Sequence, residues 1–336
     1  MENVLFEKKD GFVECKVCNH YCKIRENSYG FCGVRKNVNR KIVLMNYAKP
    51  VSLCLDPIEK KPLYHYLPGS NTFSIGFFGC NFKCDFCQNY DISTTKGLEV
   101  EKSLSKLEKI SPKNFVELAL KKNAKSIAFT YNEPTISIEY CLEAMEEAKK
   151  RGLGTVFVSN GYASKESVGL LKGKLDAINI DLKSFNPIFY KKVCGAELEK
   201  VLETIKLFKK IGVWVELTTL IIPTKNDSKE ELKEIASFIK SVGKEIPWHV
   251  SAFTPMYKMS NLQRTNIEKI EEAIKIGKEM GLQYVYSGNC HSDNENTFCK
   301  KCNSLLIKRS YYDVKVIGLK KNKCLNCGEK LEGIFE

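Results

Sequence analysis

Short apolar runs alternate with longer amphipathic stretches between residues 73 and 286 of the chain. Apolar runs of this length predict buried strands, and the amphipathic stretches predict helices that cover the strands. Strands that alternate with helical segments of about 10–15 residues indicate βαβ units and a parallel sheet. The predicted strands are Phe73–Phe77, Ser126–Tyr131, Thr155–Val158, Ala177–Asp181, Trp214–Ile222, Trp248–Phe253 and Tyr284–Tyr286.

Several of the predicted helices have recognisable starts. Ser228 with Glu231, and Thr265 with Glu268, have the spacing of a capping box. About six strand–helix units suit a partial (β/α) barrel, and an open doubly wound sheet is the alternative. The segment before the first strand is punctuated by prolines from residue 56 to residue 70, which predicts an ordered loop.

Composition adds metal chemistry to this α/β framework. The chain has 336 residues, a formal net charge of +13 and 15 cysteines, eleven of them in three clusters. No apolar run approaches the ~18 residues of a membrane span, and the N-terminus lacks the apolar core of a secretory signal. We therefore expect a cytoplasmic protein whose clustered cysteines bind metals and do not form disulfides.

The middle cluster is the most informative of the three. Cys80, Cys84 and Cys87 form a C-x3-C-x2-C pattern directly after a predicted strand. Three thiolates on a four-iron cubane leave one iron without a protein ligand, and an open metal position can bind a small molecule. The alternative is a zinc site completed by a fourth ligand such as Cys54.

The two outer clusters each have four cysteines. The N-terminal cluster suits either zinc or a second iron–sulfur cluster, with a structural or electron-relay role. The C-terminal cluster has two C-x2-C pairs, which predicts a zinc-ribbon-like module. We divide the chain into a metal module at residues 1–40, a barrel at 41–290 and a zinc-ribbon-like module at 291–336. The outer ligand sets are Cys15, Cys18, Cys22 and Cys32, and Cys299, Cys302, Cys324 and Cys327.

The central triad, with Phe86 before its last cysteine, resembles the signature of the radical S-adenosylmethionine (radical SAM) enzymes. In those enzymes a [4Fe-4S] cluster binds SAM at its open iron. An electron from the cluster then cleaves SAM and releases a 5′-deoxyadenosyl radical. The resemblance implies a partial (β/α)6 TIM-like barrel and an oxidoreductase.

A longer series of motifs resembles the AmmeMemoRadiSam-system radical SAM proteins, which are relatives of the glycyl-radical enzyme activating enzymes. The series includes Pro-Leu-Tyr-His-Tyr-Leu-Pro-Gly-Ser at 62–70, Thr-Tyr-Asn-Glu-Pro at 130–134 and Trp-His-Val-Ser at 248–251. This resemblance implies an electron donor such as ferredoxin or flavodoxin, and links to Memo-like and AMMECR-like proteins.

The resemblance also implies candidate SAM contacts at the ends of successive strands. They are Phe86, Glu133, Asn160, Asp181, Lys183 and His249. His249 is otherwise a hydrogen-bonded core histidine. Cys194 is a candidate hydrogen-atom donor if it lies near the barrel mouth, and a buried thiol otherwise.

The sequence therefore predicts a radical SAM enzyme that abstracts hydrogen from an unidentified substrate, with a protein as one candidate. Modification of RNA is an alternative within the enzymes, because the terminal module and the basic charge also suit nucleic acid. A non-enzymatic zinc protein that binds nucleic acid or protein is the alternative of another class.

Overall fold

The N-terminal module consists of short antiparallel strands in the computed structural model, which describes residues 5–94, 97–290 and 292–336. Strands β1 (Phe6–Lys9), β2 (Phe12–Cys15) and β3 (Lys23–Ile24) form one sheet, and β4 (Arg35–Val38) and β5 (Lys41–Leu44) form a hairpin. The proposed module boundary at residue 40 falls at the turn of this hairpin. Arg35 joins it to the barrel through two bonds to the Glu139 carboxylate, of 2.8 and 2.6 Å.

The central sheet has eight strands in the order β13-β12-β11-β10-β9-β8-β7-β6. Strands β7 to β13 run parallel, and the edge strand β6 pairs antiparallel with β7. Each predicted strand is present within two residues of its expected ends, and only β6 was not predicted. The strands are β6 (Ser52–Pro57), β7 (Asn71–Gly76), β8 (Ser126–Phe129), β9 (Gly154–Ser159), β10 (Ala177–Asp181), β11 (Trp214–Ile221), β12 (Trp248–Ala252) and β13 (Val285–Gly288).

Helices connect the parallel strands and bury their apolar faces against the sheet. The α-helices are α1 (Tyr90–Ser93), α2 (Leu98–Leu104), α3 (Pro112–Lys121), α4 (Ile138–Lys150), α5 (Lys165–Leu171), α6 (Pro187–Phe189), α7 (Leu198–Lys210), α8 (Lys229–Val242) and α9 (Ile267–Glu279). Ser228 caps α8 as predicted, accepting from the Glu231 amide at 3.2 Å. At α9 the capping residue is Asn266 and not Thr265, because the Thr265 hydroxyl donates to the Ile221 carbonyl in the core.

The C-terminal module packs against the last strand of the central sheet. Strands β14 (Thr297–Phe298), β15 (Leu305–Ser310) and β16 (Asp313–Val316) form a sheet, and β17 (Leu319–Lys320) and β18 (Lys323–Cys324) form a hairpin. Leu306 and Ile307 share a buried cluster with Tyr64, Tyr284 and Tyr286. No helix in the described part of the chain has the length and apolar character needed to cross a membrane.

Candidate functional site

The three central cysteines line one cavity of about 290 Å³ at the carboxyl ends of the parallel strands. Side chains from β8 to β13, or from the residues directly after them, reach the same cavity, so the sheet curves around it as a partial barrel does. The strand-end side chains are Tyr131, Asn160, Asp181, Thr218, Leu220, Ser251 and Asn289.

Backbone contacts hold the cysteine loop in place. The Lys83 amide donates to the Cys194 carbonyl at 2.8 Å, and the Asp85 amide donates to the Val193 carbonyl at 3.1 Å. Gly79 has φ of +92°, and a Cβ atom there would lie 2.7 Å from the Cys32 carbonyl oxygen. Only glycine fits this close approach, so the loop that carries the first thiol packs directly on the N-terminal module.

Asn160 lies beside the first thiol, and Glu133 holds it there. The Asn160 side-chain Nδ2 donates to the side-chain Oδ1 of Asn81 at 2.8 Å and lies 3.9 Å from the Cys80 sulfur. Glu133 is outside the cavity lining and fully buried. Its carboxylate accepts from the backbone N–H of Asn160 at 2.8 Å and from the Ser159 hydroxyl at 3.0 Å. Burial raises the pKa of Glu133 even though several donors oppose that shift.

Asp181, Lys183 and Phe86 also line the cavity. The Lys183 ammonium lies 2.9 Å from Asp181 Oδ2 and 5.7 Å from the centre of the Phe86 ring. Burial opposes the charged form, but the negative charges of Asp181 and of the nearby thiols outweigh it, so the pKa of Lys183 is raised. The cavity therefore offers a persistent cation beside the thiols, which suits a ligand with a carboxylate.

Cys194 lies behind the second thiol of the loop. It is fully buried at the end of a π-helical turn, Tyr190–Cys194, and does not line the cavity. Hydrogen bonding to the Cys194 thiol, followed by burial, raises the pKa of Cys84. The structure thus places Cys194 next to a predicted cluster ligand and away from the open side of the cavity.

The radical SAM superfamily matches residues 74–239, a range that includes the three cysteines and the strand ends described above. The chain contains a radical SAM superfamily domain. Such a domain indicates an enzyme, which argues against the non-enzymatic alternative. The superfamily implies a [4Fe-4S] cluster and SAM, and a cavity lined by three cysteines fits a cluster with one open iron.

One relative covers almost the whole chain, and two further proteins match about two thirds of it. An uncharacterised protein of Methanocaldococcus jannaschii is 41% identical over 338 residues, covering 99% of each chain, and belongs to the same family. The pyruvate formate-lyase-activating enzyme of Clostridium pasteurianum is 25% identical over 63% of this chain and 92% of its own. The crystal structure of Streptococcus suis SuiB bound to S-adenosylmethionine superimposes with a TM-score of 0.50 at 14% identity, covering 64% of this chain and 50% of that chain.

His249 lines a second compartment next to the cysteine cavity. Its Nε2 donates to Glu216 Oε2 at 2.7 Å, and Glu216 also accepts from the backbone amides of Tyr64 and His65. Burial alone would raise the pKa of Glu216, but the bond from His249 reverses the shift and lowers it. His249 lines a cavity of about 360 Å³ that shares Lys60, Pro62, Gln88, Ser251 and Asn289 with the cysteine cavity.

The C-terminal tetrad of the radical SAM protein has single-ion geometry. The sulfur of Cys299 lies 3.6 Å from that of Cys327, and the sulfur of Cys302 lies 3.7 Å from that of Cys324. Tetrahedral zinc with Zn–S bonds of about 2.3 Å separates its sulfurs by about 3.8 Å. Hydrogen bonding to Ser304 lowers the pKa of Cys302 to about 5, which favours a thiolate.

The N-terminal tetrad is more open. Cys15, Cys18 and Cys32 are buried and Cys22 is half-buried. Burial and the charges of the neighbouring cysteines raise the pKa of Cys18, so the four thiols lie within electrostatic range of one another. Among the described residues, however, only the C-terminal tetrad has its ligand atoms within 4.8 Å of one another.

Proposed function

We propose that this protein is a radical SAM enzyme that abstracts a hydrogen atom from a protein, as an activating enzyme of a glycyl-radical system. The observation that carries the proposal is the cavity lined by three cysteines and bordered by the Asp181–Lys183 pair. The similarity to a pyruvate formate-lyase-activating enzyme supports the class of substrate.

The side chains of the cavity have separate roles in this proposal. Cys80, Cys84 and Cys87 hold the [4Fe-4S] cluster, which together with SAM supplies the one-electron chemistry that removes hydrogen. Lys183 pairs with the SAM carboxylate. Asp181 accepts hydrogen bonds from donor groups of SAM, and the Asn160 side chain can donate to or accept from its polar groups. Phe86 packs beside Lys183. Glu133 acts on SAM only through Asn160, and His249 faces the substrate side. The position of Cys194 behind Cys84 gives it no contact with substrate.

The proposed reaction needs an electron and a hydrogen donor from outside the chain. We propose ferredoxin or flavodoxin as the reductant, and Memo-like and AMMECR-like proteins as functional partners. Radical SAM activating enzymes use a reductant and a protein substrate, which supports an external reductant and a protein substrate here. The Memo-like and AMMECR-like partners are proposed from the sequence resemblance alone.

Anaerobic turnover tests the proposed function. Reduced holoenzyme with SAM is expected to release 5′-deoxyadenosine slowly, and faster when the partner substrate is present. A partner grown in deuterated medium should transfer deuterium into 5′-deoxyadenosine, which mass spectrometry detects. If the reduced enzyme binds SAM but never forms 5′-deoxyadenosine, the proposed chemistry is wrong. If deuterium appears only with an RNA substrate, the protein-substrate part is wrong.

For the N-terminal tetrad we propose a second iron–sulfur cluster, with zinc as the alternative. A multi-iron cluster separates its cysteines further than a single ion does, and both this tetrad and the central triad lack single-ion spacing. The tetrad also abuts the central loop, because the Cys32 carbonyl packs on Gly79 and His20 Nε2 donates to the Asn81 carbonyl at 2.7 Å. A cluster there would pass electrons to the central one. The C-terminal tetrad, by contrast, is proposed to hold zinc.

Metal analysis of a serine variant tests this second cluster. Replacing the N-terminal tetrad with serine is expected to lower iron from about eight to about four atoms per chain. SAM cleavage driven by dithionite, which reduces the central cluster directly, should persist, whereas cleavage driven by reduced flavodoxin should be lost. Wild-type protein with one iron cluster and two zinc ions would contradict the assignment, and so would an unchanged flavodoxin-driven rate. The variant residues are Cys15, Cys18, Cys22 and Cys32.

A further inference from the structure

Ser93 is the last residue of the short helix α1 and lines the cysteine cavity together with the three thiols. The backbone holds this helix against the cysteine loop, because the Ile92 carbonyl accepts from the Gly79 amide at 2.8 Å. The Ser93 amide itself donates to the Asn89 carbonyl at 2.9 Å. The end of α1 therefore folds back onto the start of the loop, and Ser93 is only 4% exposed.

The Ser93 hydroxyl is buried without an aligned hydrogen-bond partner among the described residues. A serine or threonine near a helix end commonly donates to a carbonyl of the preceding turn. Thr94 does so to the Tyr90 carbonyl at 2.6 Å, and Ser105 does so to the Lys102 carbonyl at 2.8 Å. A buried hydroxyl that forgoes such a bond is unfavourable and calls for an explanation, such as a group that binds in the cavity it lines.

The side chain next to this hydroxyl is the thiol of Cys87. Burial and the charge of Cys84 raise the pKa of Cys87, whereas the Ser93 hydroxyl lowers it, so the oxygen lies within interaction range of the sulfur. A thiolate that binds iron accepts hydrogen bonds and has no proton of its own to donate. The first thiol of the loop already has a donor, because the Phe82 amide donates to the Cys80 sulfur at 3.4 Å.

We propose that the Ser93 hydroxyl donates a hydrogen bond to the Cys87 thiolate of the central cluster and thereby raises the reduction potential of that cluster. An added electron increases the negative charge on the cluster sulfurs, so a donor to a sulfur stabilises the reduced form more than the oxidised form. Ser93 would thus make the cluster easier to reduce by an external electron donor. This inference rests on the proposed assignment of the central cysteines to a cluster and adds a residue that sets its redox properties.

A redox titration of anaerobic holoenzyme without SAM, followed by electron paramagnetic resonance, tests this role. The signal of the central cluster is identified by its change when SAM is added afterwards. At a fixed potential, Ser93→Ala is expected to have a ratio of reduced to oxidised cluster about three- to tenfold lower than wild type, which is about 30–60 mV for one electron. Ser105→Ala is the matched control and should keep the wild-type potential, because the Ser105 hydroxyl is exposed and bonds only locally.

Electron–nuclear double resonance of the reduced cluster in D2O gives a second readout. Wild-type protein is expected to show an exchangeable deuteron coupled to the cluster that Ser93→Ala lacks. An unchanged potential or an unchanged deuteron signal would overturn the proposal, and so would weaker SAM binding at an unchanged potential, which would place the hydroxyl on SAM. Loss of iron in Ser93→Ala would also overturn it, because a tuning residue leaves the cluster bound. The titration needs no turnover, so a wild-type enzyme that forms no 5′-deoxyadenosine fails the proposed function while the effect of Ser93 stays measurable.

Discussion

Simultaneous replacement of Cys80, Cys84 and Cys87 with alanine is expected to remove about four iron atoms per chain and to abolish formation of 5′-deoxyadenosine from SAM. Among the described residues, these three are the cysteines that line the cavity. No other cysteine of the described structure could therefore replace them as ligands of a cluster there. Iron analysis, the visible absorption spectrum and anaerobic product assays measure both losses.

The triple variant should keep its fold. The loop is held by main-chain bonds to Val193 and Cys194 that do not involve the replaced side chains. Without bound metal, the three thiols contribute little to stability. The free energy of unfolding of the apo variant should therefore be only about 1–3 kcal/mol lower than that of the apo wild-type protein. Cys54→Ala is the matched control, because Cys54 is exposed on edge strand β6.

The same control separates the cluster from the zinc alternative. If Cys54→Ala removed bound metal as completely as the triple variant does, the fourth-ligand zinc site would be favoured. Retention of SAM cleavage in the triple variant would contradict the ligand assignment itself. Circular dichroism of both variants shows whether any loss reflects unfolding.

The parallel strands were predictable because they are buried on both faces and therefore read as continuous apolar runs. Edge strand β6 was missed for the opposite reason. Its middle residues Leu53, Cys54 and Leu55 are exposed, and its sequence runs into a proline-punctuated segment. An edge strand with few buried side chains carries a weak periodic signal.

The site was only partly predictable, because sequence position shows which residues follow a strand and not which way they face. Asp181, Lys183 and Asn160 line the cysteine cavity, whereas Glu133 lies behind Asn160 and His249 faces the second compartment. All of these residues are near strand ends, so spacing alone does not distinguish them.

The buried carboxylates Glu59 and Glu216 were not singled out as site residues. Glu59 precedes two lysines in a segment predicted as loop, where a charged residue is normally solvated. Its burial depends on Arg309, which lies 250 positions away in the chain and packs 4.2 Å from the Tyr64 ring centre. Contacts between a barrel edge and a separate C-terminal module leave no local pattern that could have identified them.

Replacing Cys299 and Cys302 with serine is expected to release one zinc ion per chain and to unfold the C-terminal module. Structural zinc contributes about 10–16 kcal/mol in small zinc domains, far more than this module's small core can supply. The four sulfurs have single-ion spacing, so the loss of two ligands leaves no stable zinc site. Zinc analysis and limited proteolysis measure the two effects, with new cleavage expected after residue 292. Cys54→Ser is the control and should keep its zinc.

We expect the double variant to disturb the barrel only where the barrel contacts the C-terminal module. Tyr64, Tyr284 and Tyr286 pack against the module, and the Tyr286 hydroxyl bonds to His65 Nε2 at 2.7 Å, so these aromatic side chains would become exposed. The cysteine cavity has no lining residue from the module. Iron content and dithionite-driven SAM cleavage should therefore survive. Retained zinc, or loss of iron together with zinc, would contradict this division of the molecule.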